Sequence, residues 1–155
     1  MLNRAVDNNN SSLINYLLRN GGDVNKTVNG INAIHKSILQ KKPHILRLLI
    51  IGAGTHADVS ILASNGNSPL HMTVEKCNLE MTRILLEHGA DTTLKNRQGD
   101  TALHMAAKVS FVDSFRLLVE HGANVTLVNS KGETALDIAA AQNGFEGTSF
   151  VQWLP

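Results

Sequence analysis

The chain repeats itself every 33 residues, and that period restricts its fold more than any other feature. Gly99-Asp100-Thr101-Ala102-Leu103-His104 has a counterpart 33 residues earlier, Gly66-Asn67-Ser68-Pro69-Leu70-His71, and another 33 later, Gly132-Glu133-Thr134-Ala135-Leu136-Asp137. A second marker keeps step, since Glu87-His88-Gly89-Ala90-Asp91 and Glu120-His121-Gly122-Ala123-Asn124 are also 33 apart. A looser copy opens at Gly30-Ile31-Asn32-Ala33-Ile34-His35. A fixed period of this length signals a stacked array rather than one central core. A unit so short cannot bury its apolar face alone, so it buries it against its neighbours.

Within the copy from Gly99 to Lys131, Thr101 is placed to cap a helix with its hydroxyl. Leu103, Ala106 and Ala107 then fall at i, i+3 and i+4 on one face, and their small size admits a second helix close by. Val109-Ser110-Phe111 turns the chain. Phe115, Leu117, Leu118 and Val119 mark the second helix, which Gly122 ends in a left-handed conformation. The segment Ala123–Gly132 is expected to be extended, with a glycine turn at its tip. The copy from Gly66 reads alike, with Leu70, Thr73 and Val74 on the first helix and Ile84, Leu85 and Leu86 on the second.

These residues resemble the ankyrin repeat, whose signature is a Thr-Pro-Leu-His tetrapeptide, an Ala-Ala pair and a later Leu-Leu-x-x-Gly-Ala. Ser68-Pro69-Leu70-His71, Thr101-Ala102-Leu103-His104 and Leu85-Leu86-Glu87-His88-Gly89-Ala90 carry the match. The resemblance covers nearly the whole chain. It implies an all-α repeat solenoid of stacked helix-turn-helix units with extended β-hairpin fingers, in which fingers and first helices line a concave face. The 155 residues then form a single ankyrin-repeat domain of five units, approximately 1–29, 30–65, 66–98, 99–131 and 132–155. Terminal repeats cap the array and are expected to be atypical. In the first, Ala5-Val6 stands where Ala106-Ala107 stands later. The apolar ending Trp153-Leu154-Pro155 suits either a truncated chain or a partner packing there.

Two departures interrupt the period. Gly52 to Gly66 spans 14 residues, where Gly89 to Gly99 and Gly122 to Gly132 span 10. This predicts four extra residues in the second finger, within 54–63. Gly30 to Gly52 is one residue short of the 23 in the next two units, which places a deletion near Lys42-Pro43-His44. Insertions in repeat arrays often map to a binding face, although surface loops also lengthen at little cost.

Composition narrows the function classes. The formal charge is +1 without a basic block, and one Trp, one Tyr and four Phe leave few stacking platforms, so no nucleic-acid partner is expected. No apolar stretch approaches a membrane span, no secretory leader is apparent, and the lone Cys77 suits a reducing compartment. A monomer in the cytoplasm or nucleus is the expectation.

Seven histidines invite a metal or catalytic reading, and the period accounts for most of them. His35, His71 and His104 share the tetrapeptide position, and His88 and His121 share the position before a glycine. Equivalent residues in stacked repeats sit roughly 10 Å apart, too far for ligands about 2 Å from one zinc. His44 and His56 remain without a cysteine partner set. Cys77 lacks a sequence context for a nucleophile, and the glycines do not form a phosphate cradle. We therefore expect no cofactor, no metal and no enzymatic activity. Zinc lost on His44→Ala or His56→Ala would revive the rival class.

The resemblance places two rows of residues on the concave face. Finger tips contribute Asn29, Ile31, Asn65, Asn67, Arg97, Gln98, Asp100, Ser130, Lys131 and Glu133. First helices contribute Lys36, Met72, Met105 and Ile138, then Glu75 and Lys108 a turn later in the row of Leu39 and Ala141. These positions vary from repeat to repeat while the framework does not. Met72 and Met105 form either an adaptable apolar contact or a cover for neighbouring Leu and His. Mixed charge favours neither an acidic nor a basic partner. The expected function is a non-catalytic protein–protein interaction module. Narrower versions are a short regulator like the NF-κB inhibitors, cellular or viral, or the recognition part of a larger adaptor. In the ankyrin family an Asn at the place of Asn25 can be hydroxylated; the alternative is an Asn that bridges neighbouring fingers.

Overall fold

The computed structural model describes residues 1–52 and 57–142. Nine helices form among them, in the order α1 (Leu2–Asp7), α2 (Ser11–Arg19), α3 (Ala33–Leu39), α4 (Pro43–Ile51), α5 (Pro69–Glu75), α6 (Leu79–Glu87), α7 (Ala102–Lys108), α8 (Val112–Glu120) and α9 (Ala135–Ala141). The odd-numbered helices are the first helices of successive units and pack in a row; α2, α4, α6 and α8 pack in a second row behind them.

Local chemistry explains why each first helix starts where it does. Asn32, Ser68, Thr101 and Thr134 stand at the N-caps of α3, α5, α7 and α9, and each side chain accepts the backbone N–H three residues on. That residue returns a bond to the cap's own N–H, closing a capping box. In three boxes the returning group is a histidine ring instead of the usual Glu or Gln; in α9 it is Asp137.

The helices end by a shared device. After α1, α3, α5 and α7, the residues Asn9, Lys41, Cys77 and Ser110 take φ of 52, 53, 49 and 54°. The next N–H then reaches back to the carbonyls of Ala5, Ser37, Thr73 and Ala106 at 2.9–3.0 Å. This is the Schellman arrangement, which satisfies carbonyls orphaned at a helix end. It recurs with glycine after α2, α6 and α8, where Gly21, Gly89 and Gly122 hold φ of 79, 78 and 81°.

Burial follows the apolar periodicity. Leu70, Val74, Ile84, Leu85, Leu103, Ala106, Ala107, Phe115, Leu117 and Leu118 are all inside one continuous core. Ala5 and Val6 occupy the place of Ala106 and Ala107 and are fully buried.

The expected deletion is absent and the expected insertion is relocated. The helix starts 33 and 43, 69 and 79, and 102 and 112 show the same offset in three units, so the turn at Lys42-Pro43-His44 lacks nothing. The misreading came from Gly52, which the sequence suggests is the equivalent of Gly89. Gly52 has φ −48°, an ordinary value, and is the C-cap of α4, the place His88 holds in α6. Ala57-Asp58 to Gly66 matches Ala90-Asp91 to Gly99 residue for residue, so the second finger is of normal length. The extra residues stand between α4 and Ala57, and four of that stretch, 53–56 (His56 among them), lie outside the described residues.

The fingers themselves carry turns and two isolated antiparallel bridges, Val28 with Ile31 and Val128 with Thr134, with no strand among the described residues. One N–H closes each later tip, from Ala63 to the Asn67 carbonyl (2.8 Å), Asn96 to Asp100 (2.9 Å) and Asn129 to Glu133 (2.9 Å). A closure of five residues leaves too few paired groups for a ladder.

Candidate functional site

Finger tips are positioned by glycine and by each other. Gly30, Gly66, Gly99 and Gly132 hold φ of 75, 83, 74 and 76°. At Gly99 a Cβ would also lie 2.7 Å from the backbone nitrogen of Ser130, so glycine is needed for close approach as well as for conformation. Successive fingers are tied together. The Ser64 N–H donates to the Gly30 carbonyl (2.9 Å) and that of Ser130 to Gln98 (3.2 Å). The Lys95 ammonium reaches the Val128 carbonyl at 2.7 Å, and the Arg97 guanidinium donates to the carbonyl of Ser64.

The tip residues Asn96 and Asn129 shape their own turns. Asn96 Oδ1 accepts from the N–H groups of Gln98 and Asp100 (2.9 and 3.1 Å). Asn129 Oδ1 does the same for Lys131 and Glu133. The residues just before each tip glycine, Asn29, Asn65, Gln98 and Lys131, are thereby presented to solvent. Arg97, Ser130, Glu75 and Lys108 are also exposed, and Ile31, Lys36, Asn67, Met105 and Glu133 are half-buried.

Three expected contact residues prove to be interior. Met72 is buried, within a run from Pro69 to Val74 on α5 in which every residue is enclosed. Ile138 is buried on α9, which packs on α7. Asp100 is 3% exposed. Its carboxylate is paired with Lys108 and accepts from Asn129 Nδ2 at 3.1 Å. These three are framework residues, and Lys108 has a structural partner as well. Lys36 is similarly engaged, by Asp7 at 2.6 Å. The Lys36 ammonium, first among several causes, holds the Asp7 carboxyl below its ordinary value.

The tetrapeptide histidines are fastenings. In His71, Nδ1 accepts the Ser68 N–H (3.2 Å) and shares a 2.7 Å bond with the Ser68 hydroxyl, while Nε2 meets the Asp100 carbonyl of the next unit at 2.9 Å. His104 repeats this toward Thr101 and the Glu133 carbonyl (3.0 Å). His35 reaches instead the Ile61 carbonyl at 2.8 Å. An Nε2–H tautomer fits all three, since Nδ1 faces a backbone donor. Burial pushes His35 and His71 below the usual histidine value, against the opposing pull of the carbonyls they meet. Asn3 performs the bridging in the first unit, donating to the Ile31 carbonyl at 3.3 Å.

His88 and His121 close helix ends, with Nδ1 against the carbonyls of Ile84 (2.7 Å) and Leu117 (2.9 Å). His44 meets Asn9 Oδ1 of the preceding unit at 3.0 Å. Asn25 Oδ1 accepts the Asp58 N–H at 2.8 Å, a bridge from the first finger to the second. Cys77 is an exposed turn residue. Among the described residues no three His, Cys, Asp or Glu side chains gather as a metal site would require, and no helix is long and apolar enough to cross a membrane.

Sequence reasoning missed the fastening roles of Asp100 and Lys108. Their offset of eight residues gave no signal, because Asp100 lies before the helix and Lys108 at its far end.

A family model of ankyrin repeats, three copies long, matches residues 2–96 and again 90–154. Alpha-latrocrustotoxin-Lt1a of Latrodectus tredecimguttatus is 30% identical over 91 residues, 59% of this chain and 6% of the toxin. The ankyrin repeat protein FPV219 of fowlpox virus is 36% identical over 63 residues, 41% of this chain and 14% of the viral protein. The chain thus spans only a small part of the length of these relatives.

Proposed function

This chain belongs to the ankyrin-repeat family, and from that premise we propose that it binds a protein partner across its finger tips and the outer side of its first helices. Ankyrin repeats mark a protein-interaction module, and the family is generally non-catalytic. The finer reading rests on one observation. At equivalent positions the framework is held constant while its neighbours vary: the tip glycines all keep positive φ, whereas the exposed residue before them changes from Asn at 29 and 65 to Gln98 and Lys131. Stacking does not restrict these side chains, so recognition is free to use them. Arg97, Ser130, Glu75, Met105 and the half-buried Asn67 and Glu133 extend the surface. A monomer working in the cytoplasm or nucleus, without a nucleic-acid or membrane partner, completes the reading.

The test is an affinity capture from lysate with wild type and an Asn65→Glu/Arg97→Glu/Lys131→Glu variant whose fold is confirmed by circular dichroism. A protein held by wild type and lost by the variant supports the reading. A protein held equally by both moves binding elsewhere on the array.

A further inference from the structure

The second-helix row is divided into two electrostatic halves. α6 carries Glu80, Arg83 and Glu87, and α8 carries Asp113, Arg116 and Glu120, so each arginine has a carboxylate three residues before it and another four after. Arg116 uses this, pairing with Glu120 at 2.9 Å. In α4 the arginine is kept as Arg47, but His44 and Ile51 replace the two acids. α2 has Arg19 and no acidic residue. Arg47 is left with a 3.8 Å approach to Glu80 on the next helix, both side chains about half exposed, a pair of little energetic weight.

The same exchange opens a groove. His44, Arg47, Leu48 and Ile51 lie at i, i+3, i+4 and i+7 along α4, facing Asn15 and Arg19 of α2. With Gly52 they line an open depression of about 440 Å3, most of whose exposed lining is apolar. Ile51, at a position that holds Glu87 and Glu120 in the later units, is 65% exposed. The corresponding groove between α6 and α8 is half that size, about 220 Å3, and is lined by Asp113 and Glu120 as well as by arginines.

We propose that the α2–α4 groove docks a short acidic–apolar segment of a partner protein. A bulky aliphatic or aromatic side chain covers Leu48 and Ile51, and flanking carboxylates meet Arg19 and Arg47. Charge complementarity selects this occupant, since the described residues lining the groove include two arginines and no acid, with Glu80 meeting Arg47 only at 3.8 Å from outside that lining, and the apolar Leu48 and Ile51 leave water when covered. Seven residues of helix extend about 10 Å, the reach of about three extended residues of a bound segment. The groove belongs to the second-helix layer, so it is independent of the finger-tip surface.

The probe is a fluorescein-labelled twelve-residue peptide of Leu, Phe, Glu and Asp, with a counterpart in which every acid is Lys, followed by fluorescence anisotropy. The acidic peptide should bind saturably and the lysine peptide should not. Ile51→Glu, which restores the acid of the later units, should weaken binding at least tenfold. Arg19→Glu should do likewise, and Arg97→Glu on the finger layer should leave it unchanged. Binding should also fall as salt rises from roughly 0.05 to 0.5 M, over which charge screening becomes short-ranged. Equal binding of the two peptides would overturn the proposal. So would an affinity untouched by Ile51→Glu in a variant with the wild-type circular dichroism spectrum, or an equal loss in Arg97→Glu.

Discussion

Units three and four keep one register throughout, with the same helix offsets, capping box and finger length, whereas units one and two depart from that pattern at several places. In the later pair His71 and His104 are buried, cap their own helix and fasten the next unit. In the first unit Asn3, half-buried and with a longer bond, does only the fastening. α6 and α8 each bury five residues, α2 only Ile14 and Leu18. The difference teaches that strict repetition marks where stacking determines the residue. Departures mark a terminus with one neighbour, or a surface released for another use.

The sharpest break in this comparison comes from the core of a repeated unit. Leu103→Ala should destabilise by about 2–5 kcal/mol, the range for a buried leucine truncated to leave a cavity, as read from urea unfolding. The fastening histidines come next. His71→Ala orphans the buried N–H of Ser68 and the carbonyl of Asp100 and should cost about 1–3 kcal/mol, while Asn3→Ala should cost only about 0.5 kcal/mol. Equal costs would erase the contrast between interior and terminal units.

Acid should act on the same histidines. The folded values of His35 and His71 lie below the ordinary 6.5. The unfolded chain therefore takes up more protons than the folded one as pH falls through 6.5. Their contribution is complete above that value and is lost as pH drops toward the folded values, at most about 1.4 kcal/mol per pH unit for each histidine. The urea midpoint should fall between neutral and mildly acidic pH, and a His35→Gln/His71→Gln variant should show a flatter dependence. The smallest effect belongs to the finger tips. Arg97→Ala removes an exposed bond to the Ser64 carbonyl and should change stability by about 0.5 kcal/mol or less; a larger loss in thermal unfolding would make the tip part of the framework.

The fold was legible wherever the period was intact. Thr101 as a cap, Leu103 with Ala106 and Ala107 as a core face, and Gly122 as a left-handed terminus are each local consequences of residue type, and each is present. The second turn device was not legible, because Asn9, Lys41, Cys77 and Ser110 adopt positive φ without glycine to announce it. Gly52 misled for the opposite reason: a glycine stood one residue from the place where its conformation would be used. Exposure of individual side chains was the least legible layer. Met72 and Met105 occupy one equivalent position, yet Met72 is enclosed and Met105 half open. No helical period records that difference.

Hydrogen exchange resolved along the chain tests the central claim, that repetition records stability, most directly. The account predicts the slowest amide exchange in α5 through α8 and distinctly faster exchange in α1 and α2, with α3 and α4 between them. Protection that is uniform along the array, or greatest in α1 and α2, would contradict it.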